Sequence, residues 1–253
     1  MPQAIYAAAE NGSKVQPRLA APKESQIVMN AMNPQPTRTL PPPIGRLHVI
    51  TDTAVQSRHA HAELAELAIR GGADTIQYRS KETEFRTLMH QAGAVADVCR
   101  ARNVLFLVND RVDLCLAIGA NGVHVGRTDI PVAIARTLLG PLKIIGGTVR
   151  NPEHLAEAER EGADYVGLGP IFGTTSKSLA VPPIGLAMVR QVARSATIPV
   201  IGIAGITASN ARSVVDAGAW GVAVIGAVCA AADVTAAAAS LRASIADAPP
   251  FNP

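Results

Sequence analysis

Short apolar runs alternate with segments of helical periodicity along most of the chain. Each run ends in polar residues or glycine, and a segment with an apolar period of 3.6 residues follows. This pattern predicts eight β-strands, at Arg46–Asp52, Thr75–Lys81, Val104–Asp110, Gly122–Gly126, Lys143–Val149, Tyr165–Pro170, Pro199–Ile206 and Gly221–Val228. Helical segments lie between them, for example at His61–Arg70, Glu84–Arg102, Glu153–Glu161 and Ser209–Ala217.

Glycine follows three of the predicted helices, in the segments Gly71-Gly72-Ala73-Asp74, Gly162-Ala163-Asp164 and Gly218-Ala219-Trp220. Glycine adopts the left-handed conformation that ends a helix, so the next strand can begin at once. Regular alternation of strand and helix indicates an α/β fold with a parallel sheet.

Polar or glycine residues stand at the carboxyl end of strand after strand, as in Gln-Tyr-Arg-Ser-Lys, Val-Asn-Asp, Gly-Arg-Thr-Asp and Gly-Pro-Ile-Phe. An open doubly wound sheet would concentrate such residues at one switch point, and no GxGxxG follows the first strand. Chemistry at every strand end is typical of a closed barrel. We therefore expect a (β/α)8 TIM barrel.

Proline divides the chain into one domain and its flanking segments. Eight of the 18 prolines lie within the first 43 residues, which show no sustained periodicity. We expect residues 1–44 to be a low-complexity, disordered extension, 45–246 to form the barrel, and 247–253 to be a frayed end. A transit peptide is the weaker alternative, because Glu10 and Glu24 do not suit an acid-poor presequence.

Composition limits the classes of partner. Hydrophobic residues make up 48% of the 253 positions, which suffices for a large core, and the net charge of +3 without a basic run gives no support for nucleic-acid binding. No apolar run approaches the ~18 residues of a membrane span. Three cysteines without a CxxC spacing predict buried thiols in a reducing compartment, so we expect a cytoplasmic location without membrane partners.

Three long polar side chains share one face of the second strand. Gln77, Arg79 and Lys81 alternate there, so all three point into the mouth of the predicted barrel. Buried cations need a partner, and a diphosphate suits both an Arg fork and a Lys point charge. The alternative is an internal salt bridge, which we consider less favoured because this strand contains no acidic residue.

Asp110 ends the third strand and Asp129 follows the fourth. Alone, each suits a loop or helix cap. Beside a diphosphate clamp they predict a Mg²⁺ site, since that ion takes one or two carboxylates together with water and phosphate oxygens. His124 in the fourth strand is expected to be a satisfied interior residue and is assigned no role.

The late strands carry a second set of candidate anion ligands. Hydroxyl residues and one lysine follow the sixth strand, and glycine-rich segments end the seventh and eighth strands, where phosphate-binding barrels present backbone N–H groups. Tight closure of the barrel by small residues is the structural alternative. Together the two sets suggest two phosphorylated substrates brought face to face. The candidates are Thr174, Thr175, Ser176, Lys177, Gly205, Ile225 and Gly226.

Five segments in this order resemble the thiamine-phosphate synthase family across about residues 46–242. They are Gln77-Tyr-Arg79-Ser-Lys81, Val108-Asn109-Asp110-Arg111-Val112-Asp113, Gly122-Val-His124-Val-Gly126, Asp164-Tyr-Val-Gly-Leu-Gly-Pro-Ile-Phe172 and Pro199-Val-Ile-Gly-Ile-Ala-Gly-Ile-Thr207. The resemblance implies a transferase that joins hydroxymethylpyrimidine diphosphate to hydroxyethylthiazole phosphate and releases pyrophosphate.

The resemblance also implies a role for each matching residue. Asp110 and Asp129 would bind Mg²⁺ on the diphosphate, and Arg79, Lys81 and Lys177 would act on the reacting groups. The pyrimidine diphosphate would be held by Gln77, Arg79, Lys81, Asn109, Thr148 and Lys177. The thiazole phosphate would be held by Thr174, Thr175, Ser176, Gly205, Ile225 and Gly226.

Several positions depart from the usual family pattern. Arg127 and Thr128 replace Gln and Glu, Thr148 replaces Ser, Ala204 replaces Gly, and Gly226 replaces Ser. Arg127 would then either pair with Asp129 or reach the diphosphate. A thiazole tautomerase and a non-catalytic thiamine-phosphate-binding paralogue are the rival functions. A barrel of this size is compatible with a homo-oligomer, but no interface can be identified from the sequence.

Overall fold

The computed structural model describes residues 44–173 and 181–247. Within them, eight parallel strands form a closed barrel in chain order, and the last strand pairs with the first. The expected (β/α)8 architecture is confirmed. The strands are β1 Leu47–Thr51, β2 Thr75–Tyr78, β3 Leu105–Asn109, β4 Gly122–Val125, β5 Ile144–Val149, β6 Tyr165–Leu168, β7 Val200–Ile203 and β8 Gly221–Val224.

Helices connect the strands and cover the outside of the barrel. Those in the described ranges are α1 His61–Arg70, α2 Phe85–Arg102, α3 Val112–Ile118, α4 Val132–Leu139, α5 Pro152–Arg160, α6 Gly185–Ser195, α7 Ala211–Asp216, α8 Gly226–Cys229 and α9 Val234–Ser244. None of the described helices is long and apolar enough to cross a membrane.

The apolar side chains form two layers because successive residues of a strand face opposite sides. The larger cluster packs between sheet and helices and includes the three buried, unpaired cysteines. The smaller cluster comprises Ile44, Ile50, Leu105, Leu107, Ile144, Tyr165, Ile201, Ala223 and Ile225. It fills the inside of the barrel and forms the floor beneath the strands' carboxyl ends.

Glycine ends three helices as the sequence predicts. Gly72, Gly162 and Gly218 have φ values of 94°, 89° and 105°, in the region that side chains disfavour. The predicted ends of three strands are wrong. Strand β2 ends at Tyr78 rather than Lys81, so only Gln77 lies within it, and Arg79 and Lys81 follow it. Strand β8 stops at Val224 rather than Val228, because a short helix takes up the end of the same apolar run.

Strand β7 stops at Ile203 rather than Ile206. Ala204 and Gly205 have φ values of 79° and 66°, which no extended strand can contain. The chain therefore turns sharply at the carboxyl end of β7.

A clasp joins the two ends of the sheet, at the seam between β8 and β1. The indole Nε1 of Trp220 donates a hydrogen bond of 2.8 Å to the carbonyl oxygen of Ile44. The Arg46 guanidinium lies 3.9 Å from the centroid of the Trp220 ring. A residue just before β8 is thus held to the segment that leads into β1.

Candidate active site

The carboxyl ends of the strands surround a cavity of about 1750 Å³. Ten of the predicted site residues line it: Gln77, Arg79, Lys81, Asn109, Asp110, Asp129, Thr148, Gly205, Ile225 and Gly226. The other four, Thr174, Thr175, Ser176 and Lys177, lie outside the described residues. Gly173, the residue before them, also lines the cavity.

Arg79 enters the cavity already paired with a carboxylate. One of its Nη atoms contacts Asp52, the residue directly after β1, whose side chain is only 2% exposed. The other oxygen of Asp52 accepts a 2.9 Å hydrogen bond from the backbone N–H of Ala54. The salt bridge that we considered the less favoured alternative is therefore present, although Arg79 also lines the cavity. Asp52 is a site residue that the sequence analysis missed.

A buried histidine supports this corner of the barrel. His61 Nδ1 lies 2.9 Å from Thr51 Oγ1, and its ring packs edge-on against Tyr78 at 4.6 Å between centroids. Burial lowers the pKa of His61 to about 4, and Asp52 partly opposes that shift. His61 is therefore neutral at pH 7 and packs against Tyr78, the residue before Arg79.

The two predicted metal-binding aspartates are held by hydrogen bonds at the cavity wall. Asn109 Nδ2 donates to Asp110 Oδ1 at 2.5 Å, and the N–H of Gly126 donates to Asp129 Oδ2 at 2.9 Å. No group of three or more His, Cys, Asp or Glu suited to a metal occurs among the described residues. A pair of carboxylates in the same cavity as Arg79 and Lys81 still fits Mg²⁺, which completes its octahedron with water and other oxygens.

His124 bridges two other side chains inside the barrel. Its Nδ1 lies 3.0 Å from the Tyr165 hydroxyl and its Nε2 lies 3.0 Å from Thr148 Oγ1. A Cβ on Gly146 would lie within 2.5 Å of both rings, so the strand needs glycine there. The expectation of a satisfied interior histidine is confirmed, and His124 fixes the position of the Thr148 hydroxyl.

The turn after β7 approaches the segment that follows β6. A Cβ on Gly205 would lie 2.4 Å from the carbonyl oxygen of Gly173, so only glycine fits. Asn210 Nδ2 donates to the Gly205 carbonyl oxygen at 2.9 Å and holds the turn. Ile225 and Gly226 line the same side of the cavity, after β8.

The described lining is rich in cations. It holds four basic residues, Arg79, Lys81, Arg127 and Arg150, against the two aspartates. Arg127 pairs with Glu157 at 3.3 Å, so the anticipated pair with Asp129 does not form. Arg150 and His154 were missed because they lie beyond the last residue of β5, where the sequence suggests only a polar loop and a helix start.

Cations, amides and carboxylates at the strand ends of one closed barrel define a phosphate-handling (β/α)8 enzyme. A family model described as thiamine monophosphate synthase matches residues 47–228. The chain belongs to the thiamine monophosphate synthase family.

Individual relatives agree with this assignment. The thiamine-phosphate synthase of Chloroflexus aurantiacus is 46% identical over 200 residues, which cover 79% of this chain and 92% of the relative. That of Salinibacter ruber is 48% identical over 205 residues, covering 80% and 89%. The structure of thiamine phosphate pyrophosphorylase from Pyrococcus furiosus matches with a TM-score of 0.74 and 38% identity, covering 80% of this chain and 96% of that one.

Proposed function

We propose that this protein is a thiamine-phosphate synthase that joins hydroxymethylpyrimidine diphosphate to hydroxyethylthiazole phosphate. The main support for this proposal is that one cavity is lined by two cations and two carboxylates, Arg79, Lys81, Asp110 and Asp129. A thiazole tautomerase has no diphosphate to bind, so it would have no use for this combination. The enzyme would act in the cytoplasm on small phosphorylated molecules.

The pyrimidine diphosphate is assigned to the early strands. Arg79 and Lys81 would bind the diphosphate oxygens, with Lys177 as a third cation. Gln77 is 4% exposed and Asn109 is 7% exposed, so their amides offer desolvated hydrogen-bonding groups. The Thr148 hydroxyl, positioned by His124, would complete this half of the site.

The carboxylates of Asp110 and Asp129 would hold Mg²⁺. The bound ion would neutralise charge on the diphosphate and so make it a better leaving group. Asn109 orients the Asp110 carboxylate through their hydrogen bond, and the turn at Gly126 orients Asp129.

The thiazole phosphate is assigned to the late strands. Its ligands would be Thr174, Thr175, Ser176, Gly205, Ile225 and Gly226. Gly205 lies close to Gly173, which leads into the hydroxyl-rich segment, so backbone and hydroxyl donors would converge on one phosphate.

The reaction needs positioning and charge stabilisation rather than proton transfer. The bond between the pyrimidine methylene carbon and the diphosphate oxygen breaks, and the electron pair leaves with the diphosphate. The thiazole nitrogen then forms a bond to the methylene cation. Arg79, Lys81 and Lys177 would stabilise the developing charge on the leaving group, and the barrel would hold the second substrate in line.

The test measures thiamine phosphate formed from the two phosphorylated halves, with and without Mg²⁺. Asp110→Asn removes the charge and, better than alanine, tolerates the left-handed backbone at φ 64°. Asp113→Asn is the matched control, since that carboxylate is 55% exposed and pairs with Arg111. We expect Mg²⁺-dependent product from wild type and the control, with a loss of at least about hundredfold in Asp110→Asn.

The absence of product from folded wild-type protein would refute the synthase. Isomerisation of the thiazole phosphate would then be assayed, because the tautomerase is the nearest alternative. Binding of thiamine phosphate without either activity would indicate the non-catalytic paralogue.

A further inference from the structure

A second group of nitrogen-bearing side chains lines the same cavity. It is separate from Arg79 and Lys81, which we call the clamp, and from the two aspartates Asp110 and Asp129. Arg127 follows β4, Arg150 follows β5, and His154 lies in the first turn of α5. We call these three residues the mouth cluster.

The mouth cluster contains buried nitrogen atoms without hydrogen-bond partners. Arg150 Nε and His154 Nδ1 are buried and have no hydrogen-bond partner in the part of the chain that the structure describes. The Nη2 atom of Arg150 donates a hydrogen bond of 3.2 Å to the carbonyl oxygen of Pro182. A buried polar nitrogen without a partner destabilises a protein, so a ligand that supplies oxygens would stabilise the cluster.

The third member can change partner at little cost. Arg127 Nη1 lies 3.3 Å from Glu157 Oε2, but the two side chains are 40% and 45% exposed. Exposed pairs of this kind contribute little to stability. A more highly charged anion in the cavity would therefore compete well for this guanidinium.

Both arginines of the mouth cluster act electrostatically on His154. Its pKa is lowered, first by burial and then by the positive charge of Arg127, with a further contribution from Arg150. Glu157 and Glu153 oppose the shift without cancelling it. Two guanidinium groups therefore lie near a neutral imidazole, and an anion between these side chains would be attracted by both.

The order of the strands around the barrel places the mouth cluster beside the residues proposed to bind the diphosphate. Strands follow one another around the barrel, with the clamp at β2, the aspartates at β3 and β4, and the mouth cluster at β4 and β5. Asp129 and Arg127 belong to the same short turn after β4. The residues that would hold the leaving diphosphate and the mouth cluster are therefore neighbours around the barrel.

We propose that Arg127, Arg150 and His154 form a second anion subsite, which receives the diphosphate once its bond to the pyrimidine has broken. The inference rests on the proposed function for the source of the diphosphate. Moving that anion away from the methylene cation would hinder recombination and leave the cation to the thiazole nitrogen. The ligand class is a free diphosphate.

The experiment titrates inorganic pyrophosphate with Mg²⁺ into the full-length protein by calorimetry. The variants are Arg150→Gln, Arg127→Gln and the double variant Arg150→Gln/His154→Gln. Arg160→Gln is the control, because it removes an exposed charge from the far end of the same helix. We expect about tenfold weaker binding for Arg150→Gln, more for the double variant, and a change below about twofold for the control.

Thermal unfolding checks that each variant is folded. Arg127→Gln tests the subsite even if Arg150→Gln fails to fold, since its side chain lies at the surface. Unchanged pyrophosphate affinity in the folded variants would overturn the inference. A higher KM for the thiazole phosphate with unchanged pyrophosphate affinity would also overturn it, and would assign the cluster to that substrate.

The binding readout separates the two proposals. Pyrophosphate affinity is measured without turnover, so a protein that forms no thiamine phosphate still tests the subsite. Loss of pyrophosphate affinity in the variants of such a protein would support an anion subsite while refuting the synthase.

Discussion

At the scale of single residues, the partner of Arg79 lies just beyond the end of a different strand. The segment that leads out of β2 contains no acidic residue next to Arg79, whereas Asp52 follows β1, which is paired with β2 only in the folded barrel. Its position at the carboxyl end of a strand was a usable signal, shared with Asn109 and Asp110. The buried carboxylate holds the guanidinium in one orientation, which would favour catalysis if Arg79 binds the diphosphate as proposed.

Replacing this carboxylate should impair catalysis more than folding. Asp52→Asn keeps an acceptor for the Ala54 N–H but frees Arg79, and we expect kcat/KM to fall by between about tenfold and about hundredfold. Asp97→Asn is the control, since its pair with Arg100 is exposed on α2. Steady-state kinetics and thermal unfolding of both variants provide the check. Equal kcat/KM values in Asp52→Asn and wild type would show that Arg79 needs no positioning.

The turn after β7 contains a residue in a conformation suited to glycine. Ala204 has φ 79°, and the family pattern has glycine there, so Ala204→Gly should stabilise the protein by about 0.5–1 kcal/mol. Gly205→Ala should destabilise it by at least about 2 kcal/mol, because the new methyl group meets the Gly173 carbonyl oxygen. Urea unfolding measures both. If Ala204→Gly is less stable than wild type, the positive φ of Ala204 does not strain the backbone.

At the scale of elements, periodicity identified all eight strands, because each has a buried apolar run between polar ends. It misjudged the end of β8, since the residues up to Val228 are as apolar in the short helix as they would be in a strand. The candidate ligands at or just after the strand ends could be found in this way. Arg150 and His154 could not, because their convergence depends on how helix α5 begins.

The first turn of α5 is fixed by a side-chain cap. Asn151 accepts a 2.9 Å hydrogen bond from the His154 N–H, and it stands directly after Arg150. We expect Asn151→Ala to cost about 1 kcal/mol of stability and also to weaken pyrophosphate binding. Asp233 caps α9 through the Ala236 N–H at 2.9 Å, so Asp233→Ala should cost a similar amount of stability without affecting binding.

Urea unfolding and calorimetry on the two capping variants separate general instability from a local effect. If both variants bind pyrophosphate equally well, the start of α5 has no part in the anion site.

At the scale of the whole molecule, buried neutral histidines make stability depend on pH. Burial lowers the pKa of His48 and of His61 from 6.5 to about 4. Between these values the unfolded chain binds more protons than the folded one, so stability falls as the pH drops from 6.5 towards 4. Each histidine contributes a slope of up to about 1.4 kcal/mol per pH unit within that window.

Urea unfolding at several pH values from 7 to 4.5 measures this slope. We expect His61→Gln to show a shallower slope than wild type, whereas the contribution of carboxylates is common to both proteins. Parallel curves would mean that His61 titrates normally in the folded state.

The clasp at the seam of the barrel has a practical consequence. Trp220 is the single tryptophan of the chain, and it sits where the sheet closes on itself. Its fluorescence therefore reports one event, the separation of β8 from β1, rather than an average over the fold. Comparing emission with circular dichroism during unfolding would show whether the barrel opens at this seam before its helices melt.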